Sequence, residues 1–313
     1  MNLRILKPIA TLLFFLLIVT YQPAVAQFTA TLKHGDLRAV FVDNSSYGEH
    51  LKGYNGISEL YHKKQDSTLF VPLFAGFNLE HIFDGDSLIS FFEPRREPMT
   101  LNKKSDTKVV LHQPKTRISK VESWTTFEIV CPHYIDVEFR FIVHDPEMFD
   151  HGYVGFFWAS YINLPKIPGI YFKGRKHDQT GGGEWLYAFS EEHGKNGTHI
   201  SDKDTFDFYQ APNFNIDLAK EISEYAFTKP YYYGRFHNMV FGYLFPEPEQ
   251  GVIRITQSPN GAGEGNPAWD FQYILPDFEV GKPYSFKTRV LYKEWVSQRD
   301  IEEEYEKWIM ENE

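Results

Sequence analysis

The chain has 313 residues, with 32 Lys and Arg against 42 Asp and Glu, for a net charge of −10. A surface that acidic repels nucleic acid and anionic lipid at long range, so no nucleic-acid partner is expected. The lone cysteine, Cys131, rules out an internal disulfide. Burial alone must hold the fold, and 28 Phe, 19 Tyr and 6 Trp supply aromatic surface that favours strands.

The N-terminus reads as an export signal. Arg4 and Lys7 precede an apolar run from Ile9 to Thr20, and Ala24-Val25-Ala26 has the small-x-small form of a cleavage site. The run is shorter than the roughly 20 residues that span a bilayer. No cysteine stands directly after it, so no lipid tether and no membrane anchor are expected. Residues 1–26 are set apart as signal, and 27–313 are read as one β-sandwich domain, periplasmic or secreted. Cleavage takes the net charge to −12, because Arg4 and Lys7 leave with the signal.

Short strands are expected at Phe28–Lys33, Leu37–Asp43, Leu69–Phe74 and Lys108–His112, separated by turn residues such as Gly35 and Asp84-Gly85-Asp86. Glu122–Ile129 and Tyr134–His144 alternate with period two. In the second, Ile135, Val137, Phe139, Phe141 and Val143 fall on one face. Cys131-Pro132-His133 is the turn that joins them. Gly152–Ile162 is almost wholly apolar and reads as a strand buried on both faces. Residues 173–205 read as a long loop, and Asp217–Tyr225 as a short helix. Strands follow at Met239–Phe245, Val252–Gln257, Asp270–Leu275 and Tyr284–Tyr292. Val296–Met310, with Ile301, Tyr305, Trp308 and Ile309 at helical spacing, is a C-terminal amphipathic helix.

Several clusters carry chemistry. In Asn78-Leu-Glu-His-Ile-Phe-Asp-Gly, a shared strand face for Leu79, His81 and Phe83 would turn Glu80 away. His81 would then meet Asp84 across the turn as an acid/base group. Phe92-Glu-Pro-Arg-Arg-Glu-Pro sets Arg95 and Arg96 beside two carboxylates, a fork suited to a uronate or a solvated salt-bridge loop. In Tyr231-Tyr-Tyr-Gly-Arg-Phe-His-Asn an extended backbone puts Tyr233, Arg235 and His237 on one face. The Gly-rich stretch Ser258–Gln272 lacks the Lys and Ser/Thr of a phosphate loop. It reads instead as a loop presenting Trp269 for stacking, with Asp270 and Gln272 as hydrogen-bond partners. Trp124 is a further stacking candidate. No G-x-S-x-G or H-E-x-x-H occurs. No cofactor is expected, although calcium held by scattered oxygens stays open.

Glu122-Ser-Trp-Thr-Thr-Phe with Pro132-His-Tyr-Ile-Asp-Val-Glu-Phe-Arg-Phe, and Gly155-Phe-Phe-Trp-Ala-Ser-Tyr-Ile-Asn, resemble the galactose mutarotase-like β-supersandwich superfamily. Phe70–Gly85 and Asn266–Gln272 also look like a group of secreted bacterial proteins. The superfamily holds sugar epimerases, polysaccharide lyases and domains of glycoside hydrolases. The resemblance implies an antiparallel supersandwich and a carbohydrate ligand, and leaves the reaction open. On this reading His81, His237 and Tyr233 are the catalytic candidates. Arg95, Arg96, Arg235, Trp269, Asp270, Gln272 and Trp124 would bind the sugar. The rivals are a non-catalytic glycan-binding module and an envelope scaffold; oligomeric state has no signature in the sequence.

Overall fold

The computed structural model describes residues 28–85, 92–211, 214 and 221–312. The signal segment and Asp217–Lys220 of the expected short helix lie outside the described residues. Among those described, the strands form three antiparallel sheets, and the chain is an all-β sandwich with a C-terminal helix. The smallest sheet is β1 (Thr29–His34), β2 (Leu37–Val42) and β3 (Gly56–His62). A five-stranded sheet runs in the order β12 (Thr198–Ile200), β15 (Val252–Ser258), β16 (Ala268–Pro276), β9 (Tyr153–Ala159) and β4 (Asn78–Phe83). A nine-stranded sheet begins with β11 (Glu184–Ala188), β10 (Ile170–Lys176), β13 (Tyr225–Phe236), β14 (Met239–Leu244) and β17 (Pro283–Glu294). It continues through β8 (Tyr134–Val143), β7 (Val121–Val130) and β6 (Lys108–Gln113) to β5 (Thr100–Lys103).

Period-two patterning decides which residues fill the space between the large sheets. On β8, Val137, Phe139 and Phe141 are buried while Glu138 and Arg140 are exposed. The Phe139 ring lies 4.9 Å from Trp158 of β9, and Phe141 lies 4.5 Å from Phe156. Trp158 in turn stacks on Phe271 of β16 at 4.9 Å. Burying each such ring contributes about 1.5–3 kcal/mol. β9 is buried along its whole length, because its other face, with Phe157 and Ala159, is covered by loops.

Helix α2 (Gln298–Asn312) packs Ile301, Tyr305 and Trp308 onto the outer face of the nine-stranded sheet, against Tyr231, Tyr233, Val240, Leu244 and Leu291. A rim of ion pairs fixes it there. Lys293 meets both Asp300 and Glu304, Arg289 meets Asp136 and Glu311, and Lys173 meets Glu302.

Three expectations need correction. Leu69–Phe74 makes only an isolated bridge, between Phe70 and Ile162, because Pro72 breaks the run. Residues 173–205 contain the end of β10, all of β11 and β12; their polar, Gly-rich composition is that of edge strands. Within Asp217–Tyr225, Glu221–Glu224 are not helical and Tyr225 opens β13.

Candidate active site

The site is built on β4, an edge strand paired, among the described residues, to β9 alone. The pairing register shifts between Leu79 and His81. Such an irregularity inserts a residue and re-aims the side chains around it. Glu80 therefore does not turn away from His81: the His81 Nε2 lies 3.7 Å from Glu80 Oε1.

Glu80 is the centre of the cluster. The Tyr161 hydroxyl donates to Glu80 Oε2 at 2.6 Å, and the Asn78 amide donates to the same oxygen at 3.2 Å. The Arg95 guanidinium reaches Oε1 at 3.5 Å. Arg95 comes from the short helix α1 (Glu93–Arg96) and lies over the ring of Tyr54, 3.8 Å from its centroid. Asn55 clamps the strand: its backbone and side-chain N–H groups donate to Asn78 Oδ1, and its Oδ1 accepts the Leu79 N–H. Tyr54 and Phe74 pack edge to face at 4.7 Å and are half-buried.

Burial sets the electrostatics. Desolvation pushes the Glu80 carboxyl up, while Arg95, Tyr161 and Asn78 pull it back toward ionisation without fully offsetting burial. Burial, and then the adjacent Glu80 carboxylate, push the Tyr161 hydroxyl well up, which keeps the phenol protonated as the hydrogen-bond donor to Glu80. Asp270 on β16 is buried and pushed well up, by burial first and also by Glu80; its Oδ1 accepts the Ser160 N–H at 2.8 Å. Two carboxyls that repel each other favour one ionised and one neutral form.

His81 is driven by burial, and then by Arg95, down to about 3. It is neutral at physiological pH, with Nδ1 accepting the Phe92 N–H at 3.4 Å. A group that gives up its proton so readily is a weak base, which does not suit the acid/base role expected of His81.

The other expected residues scatter. Trp269 is fully buried; its ring covers Gly234, where an added Cβ would sit 2.2 Å away, and its Nε1–H donates to the Pro168 carbonyl. It offers no face for stacking in this structure. Gln272 shares Asp270's strand face and is also buried. Arg96 is exposed at the surface. Trp124 lies on the outer face of β7, flat against His112 at 5.1 Å with Arg140 5.3 Å above it. Tyr233 and Arg235 do share a face, but it is the outer face of the nine-stranded sheet, beside α2. His237 sits in the two-residue turn between β13 and β14, at φ 53°, where the alternation has ended. The candidate residues thus fall into a Glu80–Arg95–Asp270 cluster on one side of the sandwich and a Tyr233–Arg235 cluster on the other.

Tyr54, Asn55 and Tyr161 were not readable as site residues. They stand in turns or at a strand end, where no periodicity singles them out. Among the described residues, no group of three or more His, Cys, Asp or Glu is arranged to hold a metal ion. A cavity of 420 Å³ lies elsewhere, between α2, β17 and the turn after β14, lined by Tyr284, Phe286, Trp308 and Lys287.

No protein-family model and no curated protein matches the chain. Solved structures do. A heparan sulfate lyase HepC mutant from Pedobacter heparinus matches at 10% identity and TM-score 0.43, over 88% of this chain and 38% of that one. The protein HI1317 matches at 10% identity and TM-score 0.44, over 85% and 92%. The α-N-acetylgalactosaminidase NagBb from Bifidobacterium bifidum matches at 10% identity and TM-score 0.43, over 90% and 39%. The chain thus spans well under half the length of the lyase and of the glycosidase, and likenesses this distant carry neither activity nor ligand.

Proposed function

We propose that this chain is an exported carbohydrate-active protein whose reacting centre is Glu80 with Tyr161 and Arg95. The observation that carries the reading is the convergence of a buried carboxylate, a phenol at 2.6 Å and a guanidinium at 3.5 Å beside the Tyr54 ring. Glu80, whose upward shift by burial is opposed by Arg95, is the base in its ionised form. Tyr161, hydrogen-bonded to it, is the proton relay. The Arg95 side chain is 18% exposed and is the cation that the carboxylate of an acidic sugar meets first. Tyr54 and Phe74 offer rings for the apolar face of the sugar. Export is supported by Arg4, Lys7, the apolar run to Thr20 and Ala24-Val25-Ala26.

A panel of acidic and neutral polysaccharides tests the proposal. Absorbance of unsaturated uronates reports a lyase, new reducing ends a hydrolase, and anomer or epimer exchange by NMR an epimerase. Turnover of an acidic substrate is expected, with Arg95→Ala raising KM about tenfold or more through loss of a charge-assisted contact. A second reading, a non-catalytic glycan-binding module, is favoured by the engagement of both Glu80 oxygens in the resting structure. Binding without turnover across the whole panel would establish it in place of the first.

A further inference from the structure

Arg235 presents an uncompensated charge. Its guanidinium carbon sits 4.2 Å over the Trp295 ring. Among the described residues its buried Nε has no hydrogen-bond partner and no carboxylate acts on its charge. Burial lowers its pKa, opposed only by the phenols of Tyr233 and Tyr171. This is unusual in a chain so rich in acids: Arg175, Arg254 and Arg289 each meet a carboxylate. A partly desolvated guanidinium with no counter-charge is costly unless something else supplies one.

Its surroundings indicate the shape of the missing group. Tyr171 of β10 stacks on Tyr233 at 5.0 Å and 12°. Tyr187 of β11 lies 4.9 Å from Tyr171 and is 47% exposed. Tyr171, Trp185 and Trp295 are half-buried, so aromatic surface reaches solvent beside the guanidinium. The nearby Lys173 is neutralised by Glu302, which also accepts the Trp185 Nε1–H. One free positive charge suits a ligand with a single anionic group and is too little for a polyphosphate.

We infer that this shelf of Tyr171, Tyr187 and Trp295 around Arg235 is a second ligand site, which binds an acidic saccharide. The sugar ring stacks on the aromatic faces and its carboxylate takes the Arg235 fork. The ligand class rests on the carbohydrate reading above. The site itself does not, because it lies on the outer face of the nine-stranded sheet while Glu80 lies on the outer face of the five-stranded one.

The full chain is titrated with a glucuronate-terminated disaccharide, its neutral counterpart and inorganic sulfate, following tryptophan fluorescence and calorimetry. The acidic disaccharide is expected to bind. Arg235→Ala should weaken it on the order of 10- to 100-fold at unchanged melting temperature, and Arg235→Lys should recover part of the loss. Tyr187→Ala, a change on the exposed rim, should weaken it too. Glu80→Gln should leave this binding intact while lowering any turnover on the order of 10²–10⁴-fold, so the two proposals fail separately. Equal binding by wild type and Arg235→Ala would overturn the inference. So would equal affinity for the neutral disaccharide or for sulfate, or no binding at all.

Discussion

At the scale of single residues, the decisive feature is how far burial moves each proton. Glu80 is pushed above the ordinary glutamate value of about 4.3, with Arg95 opposing the shift. If ionised Glu80 is the reacting form, activity falls as pH drops through this raised pKa. The acid limb of the pH–rate profile should therefore lie above about 4.3. Arg95→Ala removes the favourable charge and leaves burial less opposed, so the limb should move further toward neutrality. A limb at or below the ordinary value, or one indifferent to Arg95, would count against Glu80 as the base. His81 shows why the sequence alone does not settle such a role. Histidine beside acids is the natural choice for proton transfer, but its usefulness depends on solvation, and residues from Phe92 and Phe157 close over this ring.

At the scale of elements, β7 and β8 were legible because each buries alternate residues on one face, and β8 places its apolar side chains there. β4 was half legible. Its residues were marked out, but a shifted register has no period, and the facing of Glu80 and His81 depends on it. Trp269 could have been placed from its own strand: it shares a face with Phe271 and Tyr273, and that face is the core. Helix α2 was readable from its 3.6-residue spacing, but not the surface it covers. Its docking carries a pH dependence. Burial alone would raise Glu304, but hydrogen bonds from His133, Lys293 and Tyr134 hold it down to about 2. A depressed carboxyl contributes stability that is present above its unfolded pKa and lost as pH falls through the folded one. The docked helix should therefore weaken between about pH 4.3 and pH 2, seen as increased exposure of Trp308 in fluorescence quenching. Glu304→Gln should weaken docking at neutral pH and flatten the acid response. An unchanged titration would show that these contacts do not secure the helix.

At the scale of the whole molecule, the two large sheets turn their apolar faces inward, so chemistry is left to the outer faces and the loops that cross them. One outer face carries Glu80, Asp270 and Arg95 under loop residues; the other carries α2 and, beside it, Arg235. The all-β sandwich was legible because alternation repeats along many strands. The division of polar groups between two opposite faces was not, since it depends on which strands become neighbours. The central claim, that Glu80 is the reacting group for a sugar substrate, is tested most directly by the turnover of Glu80→Gln on whichever polysaccharide the wild-type chain converts. The amide keeps the shape and removes the base. The account predicts a fall in kcat on the order of 10²–10⁴-fold with substrate binding and melting temperature retained; turnover within a few-fold of wild type would contradict it.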